Sequence, residues 1–356
     1  MKTNETLRDK DYSISCVRFI AMCFIVVCHM MQRDDFASDI NGAHIGWAFW
    51  FNIGVQMFLF ISGLLYGKKE SIDTVSFFKR AFPKILVDYF VFIIAMLIAI
   101  WISPSYNIGV DGAFKLLTFS GTVPGLGHLW FVPTILFCYL LTPVFSEIVK
   151  AIDKRSDTRF WIEMVLFLVI VQAILMLFFK SFTPAWIVCY VIGMMYSRII
   201  RRGPRNRTVF DAVVILMCLL IVPIQFRIDY WPHGELPSLF AALYSTFTNY
   251  GHVFLGIAAV ILIRYIYEKM ENKANHHPFL NWSDKFSYDV YLVHHVFVKS
   301  AFACVEYISN RFFALPVAVL LTVVSATVLY YVSDFVRTRL TTALRRLPNE
   351  WVGLSG

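Results

Sequence analysis

Arg18 and His29 stand eleven residues apart within one apolar run. On a helix that spacing is about three turns, so the two nearly share a face, with a rise of roughly 16 Å between them. Ser15 lies on the same face. A neutral imidazole titrates near physiological pH and can take a proton from a hydroxyl. A guanidinium in an apolar run is costly enough to be a candidate for function. The plain alternatives are that Arg18 snorkels to the inner interface and that His29 caps the outer end of its helix.

Other polar groups interrupt later runs. In the second, Asn52 and Gln56 are one turn apart, and a buried amide at Gln56 needs partners. Gly63 and Gly67 form a GxxxG pair, which is best read as close helix packing. The segment Phe77-Phe78-Lys79-Arg80-Ala81-Phe82-Pro83-Lys84 leads into the third run. Its cations suit a phosphorylated cofactor, and equally suit topology signals or contacts to anionic lipid. Gly125-Leu126-Gly127-His128-Leu129-Trp130-Phe131 opens the fourth run, with Trp130 at a belt position and His128 solvated. The ninth run starts at Ser287-Tyr288-Asp289-Val290-Tyr291-Leu292-Val293-His294-His295 and later carries Lys299. His295 and Lys299 are spaced i,i+4 on one face, with His294 beside Ser287 and Tyr291 on the next. Adjacent histidines project to different faces and no carboxylate pair is near, so no metal is expected. His44, His233, His252, His276 and His277 have no informative neighbours.

The elements that must position these groups are apolar helices. The chain has 356 residues, 58% hydrophobic and 16% charged, whereas a soluble domain carries about 25% charge. Spanning runs are expected at about 13–31, 45–66, 85–102, 129–148, 161–179, 183–200, 209–226, 242–265, 288–308 and 313–335. The connections test this count. Lys68, Lys69, Lys79, Arg80 and Lys84 follow the second run, and Lys150, Lys154, Arg155 and Arg159 the fourth. Arg198, Arg201, Arg202, Arg205 and Arg207 follow the sixth, Arg264, Lys269, Lys273 and Lys285 the eighth, and Arg337, Arg339, Arg345 and Arg346 the tenth. The intervening loops are poor in Lys and Arg. This alternation predicts an all-α polytopic membrane protein of about ten transmembrane helices, with both termini cytoplasmic. A single membrane domain over 1–356, with its helical core at about 12–336, accounts for the chain. Membrane topology explains the net charge of +8, so no nucleic-acid partner is expected. The seven cysteines show no CxxC pair or loop framework, which argues against disulfides. The first run lacks a small-residue cleavage site and is expected to be retained.

Four motifs together resemble acyltransferase family 3, the membrane-bound O-acyltransferases of bacterial surface glycans. They are Tyr12-Ser13-Ile14-Ser15-Cys16-Val17-Arg18-Phe19-Ile20-Ala21 with His29, Phe58-Leu59-Phe60-Ile61-Ser62-Gly63, Leu129-Trp130-Phe131, and Ser287-Tyr288 with Tyr291-Leu292-Val293-His294. They fall in the family's order between about residues 11 and 335. The resemblance implies a ten-helix core, acetyl-CoA as donor and a hydroxyl of an envelope glycan or lipid-linked sugar as acceptor, in the cytoplasmic membrane of a bacterium. It makes His29 the essential histidine and Arg18 the arginine that precedes it. Two departures stand out. Many members carry aspartate where this chain has Ser15, and only Arg80 and Lys84 match a basic motif that usually holds two arginines. Gln56, Ser62, Trp130, Tyr291, His294 and His295 are candidates for contacting substrate or the developing oxyanion. An acetyl-histidine intermediate at His29 is an alternative to direct transfer, and an oligomer is compatible with the sequence.

A multi-pass exporter of a glycan or lipid-linked sugar is the rival class, since intramembrane His, Lys and Arg also suit proton coupling. Against it, no internal repeat is visible, and Asp88, Asp289 and Asp334 are expected near span ends. A purely structural subunit would leave the buried polar groups unexplained.

Overall fold

The computed structural model describes residues 11–33, 48–103, 107–229, 238–270 and 277–346, and all regular structure among them is helical. His44, His233 and His276 lie outside the described residues. The first helix, α1, runs over Tyr12–Met31. α2 is Gly54–Gly67, continuing an apolar stretch from Ala48. α3 spans Thr74–Ile102, and a short α4 covers Gly109–Thr118. A 3₁₀ turn at Gly127–Trp130 leads into α5, Phe131–Asp153. α6 is Asp157–Phe178, α7 Pro184–Arg201, α8 Pro204–Asp229 and α9 Ser238–Met270. α10 is Pro278–Val298, a single turn α11 is Cys304–Tyr307, and α12 is Arg311–Arg346.

Eight of these helices are long and apolar enough to cross a membrane: α1, the stretch ending in α2, α3, α5, α6, α8, α9 and α12. α7 and α10 are long but not apolar enough by the same measure, although the sequence counts them as the sixth and ninth spans. The reason is their place in the bundle. α7 is buried at Ala185 and without a gap from Ile187 to Ile199, and α10 is buried along most of Ser283–Val298. A helix walled in by protein need not present an apolar face to lipid, so it can carry Arg198, Asp284, Asp289, His294 and His295. The lipid-like surface belongs to the outer helices. Ile162, Val165, Leu166, Val169 and Ile174 of α6 are exposed, as are Leu216, Leu219 and Leu220 of α8.

α2 and α7 form the tightest pair. A Cβ at Gly63 would overlap the carbonyl of Tyr190, and one at Gly193 would overlap that of Phe60. Gly67 meets Met194 in the same way. The two backbones are therefore in direct contact, as the GxxxG reading expects.

The expected boundaries move at two places that matter for the site. The basic segment 77–84 is not a lead-in loop but the first turns of α3, and Pro83 lies inside the helix. Asp73 starts this helix by accepting a hydrogen bond from the Ser76 backbone N–H at 2.8 Å, the usual role of an N-cap carboxylate. The ninth helix begins at Pro278, where proline's fixed φ suits a first turn, and ends at Val298 rather than continuing to 308. Lys299 is consequently just past the helix end, so the face it was expected to share with His295 is not a continuous helical one.

The basic connections gather at one end. Asp11 meets Lys68 and Arg264. Arg198 meets Glu70 and Asp153, and Arg202 meets Asp153 and Asp157. Segments that the charge alternation assigns to one side are thus in mutual contact.

Candidate active site

Two arrangements face each other along α1. At its basic end, Ser15 donates to Asp284 Oδ2 at 2.6 Å and Arg18 Nη1 lies 3.3 Å from Asp284 Oδ1. α1 and α10 pack side by side, which brings the Asp284 carboxylate to the face that carries Ser15 and Arg18. Where the family resemblance expects a carboxylate at position 15, this chain presents one from the neighbouring helix.

Arg18 also lines a cavity of about 1200 Å³ between α1, α2, α3, α5, α10 and α12. Its basic groups are Arg18, Lys69, Arg80, Lys84, Lys285 and Arg337, against Asp88, Asp284 and Asp334. Aromatic rings fill much of the remaining wall, among them Phe58, Tyr66, Tyr139 and Tyr288. Arg80 and Lys84 are exposed, and Arg80 Nε donates to the Ser76 carbonyl at 3.1 Å. Lys69, Lys285 and Arg337 add cations that the motif comparison does not single out. They come from three separate segments, so only the folded chain assembles them. The deep wall of the cavity includes Ile25, Phe131 and Tyr291. Ile25 is one helical turn before His29.

Beyond that wall, four imidazoles meet. His29 Nδ1 and His294 Nε2 are 2.8 Å apart. His295 lies edge-on to His29 with ring centroids at 4.2 Å, and His128 stacks near His295 at 4.0 Å. His29 is half-buried and the other three are buried. The expectation that His294 and His295 point apart is therefore wrong. α1 and the 3₁₀ turn approach α10 from two sides, and both rings reach His29. His128, expected to be solvated, is a buried member of the same group, held by a hydrogen bond from its Nε2–H to the Leu292 carbonyl at 3.0 Å. The glycines flanking it in Gly125-Leu126-Gly127-His128 were the sequence signal of a tight turn feeding a side chain inward. Tyr291 donates its hydroxyl to the His128 carbonyl and so fixes that turn on α10.

The remaining candidates divide. Ser62 and Tyr291 line the cavity. Gln56 does not. It is buried between α2 and α9, against Gly256, and its Oε1 has no hydrogen-bond partner among the described residues. Trp130 stacks on Trp186 with centroids 3.8 Å apart, which makes it a packing residue between the 3₁₀ turn and α7. Asp88 and Asp289, expected near span ends, are buried mid-helix, with Arg337 3.3 Å from Asp88.

His29, His294 and His295 offer nitrogens that all lie within 4.8 Å of one another, close enough to consider a metal. Two nitrogens on a tetrahedral zinc with bonds of about 2.1 Å would sit about 3.4 Å apart. The 2.8 Å between His29 and His294 is instead a hydrogen-bond distance, so this pair is arranged for proton sharing.

Helices with lipid-compatible outer faces, a charged internal cavity and a buried imidazole group beyond it define a polytopic membrane protein built for chemistry within the bundle. The model of acyltransferase family 3, described as an acyltransferase domain, matches residues 11–331. The chain belongs to this family, a family of membrane acyltransferases. No curated protein and no solved structure matches it.

Proposed function

We propose that the protein is an O-acetyltransferase that carries an acetyl group from cytoplasmic acetyl-CoA to a sugar hydroxyl of a cell-surface glycan, or of its lipid-linked precursor, in the cytoplasmic membrane of a bacterium. The observation that carries this reading is the cavity. Its cations stand at one end, and its deep wall ends one turn from His29. A volume of about 1200 Å³ exceeds the roughly 300–1,000 Å³ of pockets for drug-sized ligands, which suits a donor as large as acetyl-CoA. Arg80, Lys84, Lys69 and Lys285 would bind its phosphates, and the arm would run past Tyr66 and Tyr139 toward Tyr291. This reading takes α7 and α10 as two further spans, giving ten, with both termini and the basic end cytoplasmic.

In the reaction, the acceptor hydroxyl oxygen attacks the thioester carbonyl while His29 removes its proton. The new C–O bond forms as the C–S bond breaks. The proton then passes from the imidazolium to the departing thiolate, giving the acetyl ester and free CoA. Ser62 and Tyr291, which line the cavity, remain the candidates for donors to the oxyanion.

Acetyl-CoA labelled in the acetyl group, offered with glycan to the purified protein in vesicles, tests this. Base-labile label on the sugar is expected, and its loss in His29→Ala at normal membrane abundance. Full transfer by His29→Ala would overturn the role of His29. The burial of Asp88 and Asp289 favours one second reading, a proton-coupled exporter. An exporter would leave the glycan unlabelled and move it across the vesicle wall.

A further inference from the structure

The imidazole group beyond the cavity has a feature that a lone general base does not need. Each of the three histidines around His29 bonds a backbone carbonyl through one ring nitrogen. His294 Nδ1 bonds the Tyr291 carbonyl at 2.7 Å, His128 Nε2 the Leu292 carbonyl at 3.0 Å, and His295 Nδ1 the Gly125 carbonyl at 3.2 Å. A carbonyl oxygen only accepts, so each of those nitrogens carries the proton. In a neutral imidazole the other nitrogen is then a bare acceptor. His128 Nδ1 and His295 Nε2 have no partner among the described residues, and His294 Nε2 points at His29.

Among the described residues, no carboxylate is hydrogen-bonded or ion-paired to any of the four rings. Their electrostatic neighbours are one another and, for His29, Lys299. An imidazolium at His294 would be a buried charge without a counter-ion among the described residues, so the neutral ring is the stable one. With His294 Nε2 bare, the 2.8 Å contact is a hydrogen bond only if His29 Nδ1 is the donor.

We infer that His294 is a positioning residue that holds His29 in the Nδ1–H tautomer, leaving His29 Nε2 as the nitrogen that takes the acceptor's proton. This rests on the reading of His29 as the general base. The order is Tyr291 carbonyl, His294, His29, acceptor hydroxyl. His294 fills the place that a carboxylate takes beside many catalytic histidines, but it is neutral. It orients the ring, and it accepts a stronger hydrogen bond from Nδ1–H once Nε2 is protonated. The proton balance is unchanged. One proton moves from the hydroxyl to His29 Nε2 and later to the thiolate, and His294 keeps its own. The same chain makes the turn at Gly125–His128 a support for the base, because His295 and His128 anchor their outer nitrogens on Gly125 and on α10.

The tautomer is directly observable. In the wild-type protein in lipid nanodiscs with ¹⁵N-labelled histidine, the signal lost in His29→Gln identifies the His29 ring. It is expected to show a protonated Nδ1 and a bare Nε2. A wild-type ring protonated at Nε2 would overturn the inference without any variant having to fold. In His294→Phe the Nδ1–H form should lose its dominance. The kcat should then fall about 100-fold, with KM for acetyl-CoA changed by less than threefold. His294→Gln, whose amide oxygen can accept in place of Nε2, should recover at least tenfold over the phenylalanine variant. A residue needed only for packing would show no such recovery and no change of tautomer. Full kcat in His294→Phe while His29→Gln is inactive sinks the positioning role alone. Activity in His29→Gln sinks the base reading on which it depends, and the nitrogen spectrum still reports whether the tautomer is held.

Discussion

Arg18 is a guanidinium in a helix otherwise suited to lipid, and the structure gives it two reasons to be there. It pairs with Asp284 and it lines the cavity. The pair is partly open to the cavity, with the Arg18 side chain 31% exposed, so its worth lies well below that of a sealed ion pair. Asp284→Asn should cost about 1–2 kcal/mol of stability, read as a lower midpoint of thermal unfolding in detergent, and should raise KM for acetyl-CoA by freeing Arg18. Arg18→Ala should lower transfer more than Asp284→Asn does. Equal stability and equal KM in Asp284→Asn would remove the pair from the account. Asp11 shows the pH side of the same chemistry at the basic end. Burial alone would raise its carboxyl, but Ser13, Arg264 and Lys68 outweigh burial and hold it below its ordinary value of 3.8. A depressed acid stabilises the fold above its unfolded pKa and loses that contribution as pH falls below about 4. Asp11→Asn should therefore flatten the acid limb of a stability–pH curve and leave its alkaline limb unchanged.

At the level of elements, α7 is the keel of the bundle. It is backbone-to-backbone with α2 through Gly63, Gly67 and Gly193. At its basic end Arg198, 2% exposed, bonds the Lys69 carbonyl at 2.9 Å and pairs with Glu70 and Asp153. One side chain thereby ties the connection after α2 to the end of α5. Gly193→Ala requires the two backbones to part, and should reduce folded protein in membranes several-fold. Gly121→Ala, where a Cβ meets only the Lys115 chain at ordinary contact distance, is the matched control and should change nothing. Arg198→Met should cost about 2–4 kcal/mol, since it leaves the Lys69 carbonyl without its partner and Asp153 with Arg202 alone. Unfolding of solubilised protein followed by tryptophan fluorescence would measure it.

At the scale of the molecule, the cavity joins cations from the turn after α2, from α3, from α10 and from α12 into one field. If that field holds the donor's phosphates, Lys84→Glu and Lys285→Glu should each raise KM for acetyl-CoA about tenfold, or about 1.4 kcal/mol, with kcat little changed. The effect should shrink as salt rises. A donor lacking the 3′-phosphate should lose less on these substitutions than acetyl-CoA does. KM values that do not distinguish the two donors would place the phosphates elsewhere.

The sequence by itself determined the class of this protein. The runs of apolar residues, the alternation of Lys and Arg, and four motifs in order led to helices, one-sided basic connections and the acyltransferase family. These properties are local or additive along the chain, which is why they can be read from it. Hydropathy also misled where a helix is wrapped by protein. α10 is ten residues out of its expected register, because Asp284 and Lys285 look like a loop when only lipid is imagined around them. What the tertiary structure alone decided is the company each polar group keeps. Asp284 reaches Ser15 and Arg18 from a helix some 270 residues away, and His128, His294 and His295 close on His29 from two other elements. Spacing along one helix reports which side chains share a face. It cannot report which faces meet, and at this site the chemistry lies where they meet.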